Sequence, residues 1–219
     1  MIETYLFDLD GTLTDSGKGI MNAAKYALEK MDVRIPSEDV LRKFIGPPLW
    51  ESFEKFIGLS KEDADKAVKL YREYYSETGL FENDVYDGIP ELLEKLKADG
   101  KQLAVATSKP EVFTERILAH FGLDKYFDNV TGSLLDGTRK NKDEVIACAL
   151  QRCGSPDVSK VIMVGDRMHD IDGAKKLGIG CIAVMFGYGS REEFESHGAV
   201  FIADTPDDIL KYDGERKYA

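Results

Sequence analysis

Short apolar runs recur along the chain, separated by segments in which apolar residues return every three or four positions. "TYLF" at 4–7, "QLAVAT" at 102–107, "VIMVG" at 161–165 and "CIAVMF" at 181–186 are nearly continuous in apolar character. "AVFIA" at 199–203 and "FDNVTG" at 127–132 add two more. Runs this short and this apolar predict strands buried on both faces of a parallel sheet. Between them, helical spacing predicts helices over 90–100, 110–122, 142–154 and 170–178. The first two carry Pro in the opening turn and end on Gly. In the third, Val145, Ile146, Ala149 and Leu150 share one face. Alternating strands and helices predict an α/β fold, a Rossmann-like doubly wound parallel sheet.

Residues 15–82 break the alternation. Their spacing predicts helices alone, over 18–31, 37–43, 49–57 and 60–78, interrupted by "GPP" at 46–48. The expected organisation is therefore a core domain from 1–14 and 83–219, with an all-helical cap domain, 15–82, inserted into it. Hinges are expected near Asp15-Ser16-Gly17 and Phe81-Glu82-Asn83. A chain of 219 residues accommodates one main domain and a small second one.

Composition narrows the function classes. The apolar runs fall far short of the ~18 residues that span a bilayer. The N-terminus carries Glu3 and no basic segment, so a secretory leader is not expected and the protein is expected in the cytoplasm. A formal net charge of -11 argues against nucleic acid or anionic lipid as a partner. There is no run of three or more basic residues; Lys175-Lys176 and Arg216-Lys217, for example, are only pairs. An anionic substrate would need cations placed locally. Cys148, Cys153 and Cys181 are too few and wrongly spaced for zinc or a disulfide framework, and read as reduced thiols on the core side.

In open α/β sheets, ligands bind beyond the carboxyl ends of the strands. The first strand is followed by "DLDGT" at 8–12, the second by "TSKP" at 107–110, and the one at 161–165 by "GDRMHD" ending at Asp170. Carboxylates, hydroxyls and a few cations therefore meet at one edge. Strand ends also favour Asp, Ser, Thr and Gly as turn and cap residues. At roughly 5% usage per residue type, however, D-x-D-G-T arises about six times per million windows.

These motifs, "DLDGT", "ATSK" at 106–109, a lysine near 142 and "GDRMHD", resemble the four motifs of the haloacid dehalogenase-like hydrolases. The likeness extends over nearly the whole chain, to "GYG" at 187–189, and is strongest to the phosphoglycolate phosphatase-like subgroup with a small helical cap. It implies that Asp8 is the nucleophile, a carboxylate already ionised at neutral pH. Asp10 is then the general acid for the leaving group and later the base for water. It implies Mg²⁺ held by the Asp8 carboxylate, the Asp10 backbone carbonyl and Asp166, with Asp170 orienting a ligand or the lysine. Helix N-capping stays open for Asp166 and Asp170. Thr107 and the Ser108 amide would bind the phosphoryl group. Lys109 would contact substrate or stay solvated.

The family's usual Lys-Pro-x-Pro is absent from "RKNKDEVI". Lys142 is the first choice for the phosphate-binding lysine, Lys140 the second and Arg139 the third. His169 is expected to be a loop residue, and Tyr71, Tyr74 and Tyr75 to pack the cap. "IGPPLW" at 45–50 is the candidate specificity loop, with a plain interhelix turn as its alternative.

The implied activity is Mg²⁺-dependent hydrolysis of a small phosphomonoester through an aspartyl-phosphate. Phosphoglycolate-like compounds, nucleoside monophosphates and sugar phosphates are all candidate substrates, and the protein is expected to be a monomer or weak homodimer. Asp10 argues against dehalogenation, and Leu49 stands where a phosphonatase would carry its lysine. A β-phosphoglucomutase-like phosphomutase remains the main alternative. A non-catalytic binding protein is the remaining one.

Overall fold

A computed structural model describes residues 1–136 and 138–212. The Arg216-Lys217 pair lies outside the described residues. The chain divides into two compact units, Met1–Thr14 with Val85–Ala219, and Asp15–Asp84. The second division falls after Asp84, two residues beyond the boundary expected from the sequence.

In chain order the elements are β1 (Thr4–Phe7), β2 (Thr14–Asp15), α1 (Gly17–Lys30), α2 (Glu38–Arg42), α3 (Leu49–Ser52), α4 (Lys61–Glu77) and β3 (Asp84–Val85). There follow α5 (Ile89–Ala98), β4 (Gln102–Pro110), α6 (Glu111–Phe121), β5 (Asn129–Ser133), α7 (Lys142–Arg152) and β6 (Val161–Gly165). The last are α8 (Met168–Lys176), β7 (Gly180–Val184), α9 (Arg191–His197) and β8 (Phe201–Ala203).

Six strands form one sheet in the order β5-β4-β1-β6-β7-β8, and each neighbouring pair is parallel. From β1 the chain builds outward to β4 and β5 on one side and to β6, β7 and β8 on the other. The strand order therefore reverses at β1. The continuous apolar runs are explained by burial on both faces. Leu6, Ala104, Ala106 and Met163 share a core cluster with Val145, Ile146 and Ala149 of α7 and Ile171 and Ala174 of α8. Tyr5, Phe7, Leu103 and Val105 alternate with them and are also buried. On that opposite face Phe7 meets Phe127 edge-on at 6.2 Å. Burying a Leu or Phe side chain of this kind stabilises the fold by roughly 1.5–3 kcal/mol.

Register sets what stands at the carboxyl edge. Phe7 is level with Val105 on one side and Val164 on the other. The Asp8 amide continues this ladder by donating to the Val164 carbonyl at 2.9 Å. Thus Asp8, Thr107 and Asp166 all fall at one edge of three adjacent strands.

The unit Asp15–Asp84 is helical, as its spacing predicts. α1 packs on α4, with Ala23, Ala24 and Ala27 buried on α1 and Ala64, Ala67 and Val68 on α4. Tyr71 and Tyr75 stack at 5.2 Å, and Tyr26 lies 5.4 Å from Tyr74. Ser60 caps α4 by accepting from the Asp63 amide at 3.1 Å. The expected helix over 49–57 begins as α3 and continues as a π-helical turn, Phe53–Ile57, which ends on Gly58 in the left-handed region. Within "IGPPLW", Trp50 donates to Asp65 at 2.9 Å. The two linking segments, β2 and β3, pair as a two-stranded ribbon.

Candidate active site

Three carboxylates converge beyond β1 and β6. Oxygens of Asp8, Asp166 and Asp170 lie within 4.8 Å of one another. Asp8 directly follows β1, and its Oδ1 accepts from the Leu9 amide at 2.8 Å. Asp166 follows β6 and is almost fully buried. Its Oδ2 accepts from the Tyr188 amide at 2.8 Å, whereas its buried Oδ1 has no hydrogen-bond partner among the described residues. Asp170, one turn into α8, accepts from the Arg167 amide at 3.1 Å. α8 begins at Met168, so Asp170 does cap the helix while also facing the cluster. The capping role considered for Asp166 is not taken, because its carboxylate turns back to Tyr188 instead.

Lys142, the first residue of α7, closes the cluster. Its Nζ lies 3.0 Å from Asp8 and 2.6 Å from Asp170. Burial would depress this ammonium, but the Asp170 and Asp8 carboxylates outweigh it and raise its pKa. One ammonium does not balance three acids. Burial, then the Asp170 and Asp8 charges, push the Asp166 carboxyl well above its ordinary range. Burial raises Asp170 to about 6, with Asp8 adding to the rise while Lys142 opposes it. Acids that repel one another, one with a buried and unpartnered oxygen, form a group that could hold a hard divalent cation with oxygen ligands.

Close packing holds the cluster. Gly11 has φ +78°, and a Cβ there would stand 2.1 Å from Asp166 Oδ2. A Cβ on Gly187 would lie 2.2 Å from the Gly11 carbonyl and 2.4 Å from Asp166 Cβ. Glycine is thus required at both positions for Asp166 to lie against the β1 turn. Sequence reading noted "GYG" only as part of a resemblance; its contribution is to bring the Tyr188 amide onto Asp166.

Beyond β4 the picture differs from expectation in one respect. β4 runs to Pro110 instead of stopping at 107, and α6 begins at Glu111. "TSKP" is therefore strand, not the opening of a helix. Thr107 and Lys109 share one side of the strand and both are buried. The Thr107 hydroxyl accepts from the Lys109 amide at 3.2 Å. The Lys109 ammonium lies 2.9 Å from Asp10 Oδ2. Lys109 is thus neither solvated nor remote, and pairs with the expected general acid. Ser108 between them is half-buried.

Of the three cations considered, Lys142 reaches Asp8. Lys140 is exposed, and Arg139 turns to Glu111 at 2.6 Å. His169 sits on α8, where burial and then Arg167 and Lys142 lower its pKa. Cys181 is buried, and Cys148 and Cys153 are partly buried; all three are free thiols. Among the described residues no helix is long and apolar enough to cross a membrane.

A doubly wound parallel sheet with clustered acids, a buried lysine and a buried threonine at its switch point defines a Rossmann-like hydrolase core. The family model of the haloacid dehalogenase-like hydrolases matches residues 5–184. The chain is 47% identical over 192 residues to a 5'-nucleotidase of Pseudomonas aeruginosa, covering 88% of this chain and 86% of that one. It is 43% identical over 190 residues to the tyrosine-protein kinase PtkA of Mycobacterium tuberculosis, covering 87% of this chain but only 64% of that protein. A crystal structure described as a predicted phosphatase from Clostridium acetobutylicum superposes with a TM-score of 0.91 at 44% identity, covering 96% of this chain and 97% of that one. The chain belongs to the haloacid dehalogenase-like hydrolases, and it is a phosphatase acting on phosphoric monoesters.

Proposed function

We propose that the protein is a Mg²⁺-dependent phosphatase of small phosphomonoesters that works through an aspartyl-phosphate on Asp8. The observation that carries this reading is the group of Asp8, Asp166 and Asp170 within 4.8 Å, with Lys142 bridging Asp8 and Asp170. Asp8 attacks phosphorus, and the ester oxygen departs with a proton from Asp10. Water then attacks the phosphoryl group on Asp8, with Asp10 taking the proton. Lys109, 2.9 Å from Asp10, fixes the direction of that carboxylate. Lys142 orients Asp8 and offsets charge on the phosphoryl oxygens. Thr107 and the Ser108 amide supply donors to the same oxygens. Mg²⁺, held by the Asp8 carboxylate, the Asp10 carbonyl and Asp166, would neutralise charge between nucleophile and substrate. Asp170 orients Lys142.

We assign the helical unit, Asp15–Asp84, as a cap that selects the leaving group, with "IGPPLW" as its selecting loop. Identity to a 5'-nucleotidase favours a nucleoside 5'-monophosphate over phosphoglycolate or a sugar phosphate. Likeness to a protein named as a tyrosine kinase makes the phosphoryl acceptor a point to measure.

The test is a panel of 5'-nucleoside monophosphates, phosphoglycolate and sugar phosphates, assayed with Mg²⁺ and with EDTA. Free phosphate and phosphoryl transfer are scored separately. Mg²⁺-dependent phosphate release, fastest from a nucleoside monophosphate, is expected. Isomerisation of a sugar 1-phosphate without phosphate release would replace this reading with that of a mutase.

A further inference from the structure

Arg139 is one of three described non-glycine residues with a positive φ, beside Asp32 and Ser155. Its φ is +50°, in the left-handed region that side-chain-bearing residues seldom adopt. It lies in the loop between β5 and α7, three residues before Lys142. Its guanidinium makes three contacts on three elements. Nη2 donates to Glu111 at the start of α6 at 2.6 Å. Nε donates to the Gly132 carbonyl of β5 at 2.7 Å. Nη1 lies 3.2 Å from Cys148 Sγ of α7. A strained backbone persists where its surroundings determine it fully, and such positions tend to serve function.

Glu111 is the hub. It accepts Arg139, the Gly132 amide at 3.2 Å and both terminal nitrogens of Arg152 at 3.1 and 3.2 Å. It directly follows Pro110, the end of the strand that carries Thr107 and Lys109. Glu111 and Arg139 therefore couple the end of β4 to the loop that delivers Lys142. Arg152 holds the same carboxylate from the far end of α7, ten residues beyond Lys142, and also donates to the Val130 carbonyl of β5.

We infer that Arg139, locked to Glu111, is a positioning residue for Lys142: it fixes the β5–α7 loop so that the Lys142 ammonium falls between Asp8 and Asp170. The inference rests on the proposed role of Lys142 at the phosphoryl site. Removal of Arg139 leaves Glu111 neutralised by Arg152, so the substitution strands no buried charge.

The test compares Arg139→Ala, Arg139→Lys, Arg152→Ala and Lys142→Ala in the full chain. kcat and KM are measured on p-nitrophenyl phosphate with Mg²⁺, and Tm on the same samples. Arg139→Ala is expected to lower kcat about tenfold with KM within about twofold, as for a group acting on the reacting geometry and not on binding. Arg139→Lys recovers part of the loss through the Glu111 ion pair. Arg152→Ala lowers Tm yet leaves kcat within about twofold. Unchanged kcat in Arg139→Ala, or an equal kcat loss in Arg152→Ala, would overturn the inference. Should Arg139→Ala not fold, Arg139→Gln, which keeps a donor for Gly132, faces the same two outcomes. Full activity in Lys142→Ala would instead overturn the role of Lys142 itself.

Discussion

Asp166 concentrates the electrostatic tension of the molecule in one side chain. Its carboxyl sits well above the usual range because it is buried beside Asp170 and Asp8. An acid whose folded pKa is raised binds its proton more tightly folded than unfolded. Its cost to stability is absent below the ordinary value, grows as pH rises toward the raised value, and is complete above it. In Mg²⁺-free buffer at pH 7.5, Asp166→Asn is therefore expected to raise Tm; each 1 kcal/mol gained is worth about 2–4 °C in a chain of this size. Added Mg²⁺ should raise the wild-type Tm and leave that of the variant unchanged. A scanning thermal melt reads both, and a Mg²⁺-induced rise in the variant would remove Asp166 from the metal site. The placing of Asp8 and Asp166 at the sheet edge was legible in the sequence because each directly follows an apolar run, whereas Asp10 and Thr107 were singled out by the motifs around them. The Lys109–Asp10 pair was not legible, since it depends on where β4 ends.

At the scale of elements, long apolar or well-periodic segments were read closely, and short ones were not. β4 outran its expected end because it pairs with β5 again at Pro110–Ser133, after a register shift beyond Ala106. Nothing local in "TSKP" announces that tertiary contact. α9 was missed because its seven residues bury only Phe194, too little to set up a period. β2 and β3, two residues each, carry no pattern. Side-chain caps account for only some of the helix starts that were found. Ser60 accepts the Asp63 amide, whereas Ser37 at the head of α2 makes no side-chain cap. Ser60→Ala is expected to cost about 1 kcal/mol, and Ser37→Ala clearly less. Urea unfolding of the two variants measures the difference; equal losses would deny the Ser60 cap its part in stability.

Over the whole molecule, charge and site pull in opposite directions. The chain carries a formal charge of -11, yet its substrate is a phosphate ester. Lys109 and Lys142 lie inside the acid cluster and are largely spent on Asp10, Asp8 and Asp170. The long-range field should therefore repel a dianion until salt screens it, over a Debye length of ~30 Å at 0.01 M and ~8 Å at 0.15 M. KM for a phosphate dianion is expected to fall across that range at constant free Mg²⁺, and a rise would point to a local positive funnel. The sequence suggested an inserted segment because a block of helical spacing interrupts alternating strands and helices. The substrate was not legible, since no spacing rule encodes the shape of a loop such as "IGPPLW". All of these readings depend on Asp8 as the group that takes the phosphoryl. The direct measurement is phosphate release from p-nitrophenyl phosphate at saturating Mg²⁺ by the wild type and by Asp8→Asn, which keeps the size of the side chain. A loss on the order of a thousandfold or more in kcat is predicted, with the fold intact by circular dichroism. A folded Asp8→Asn protein that turns over at the wild-type rate would contradict the mechanism.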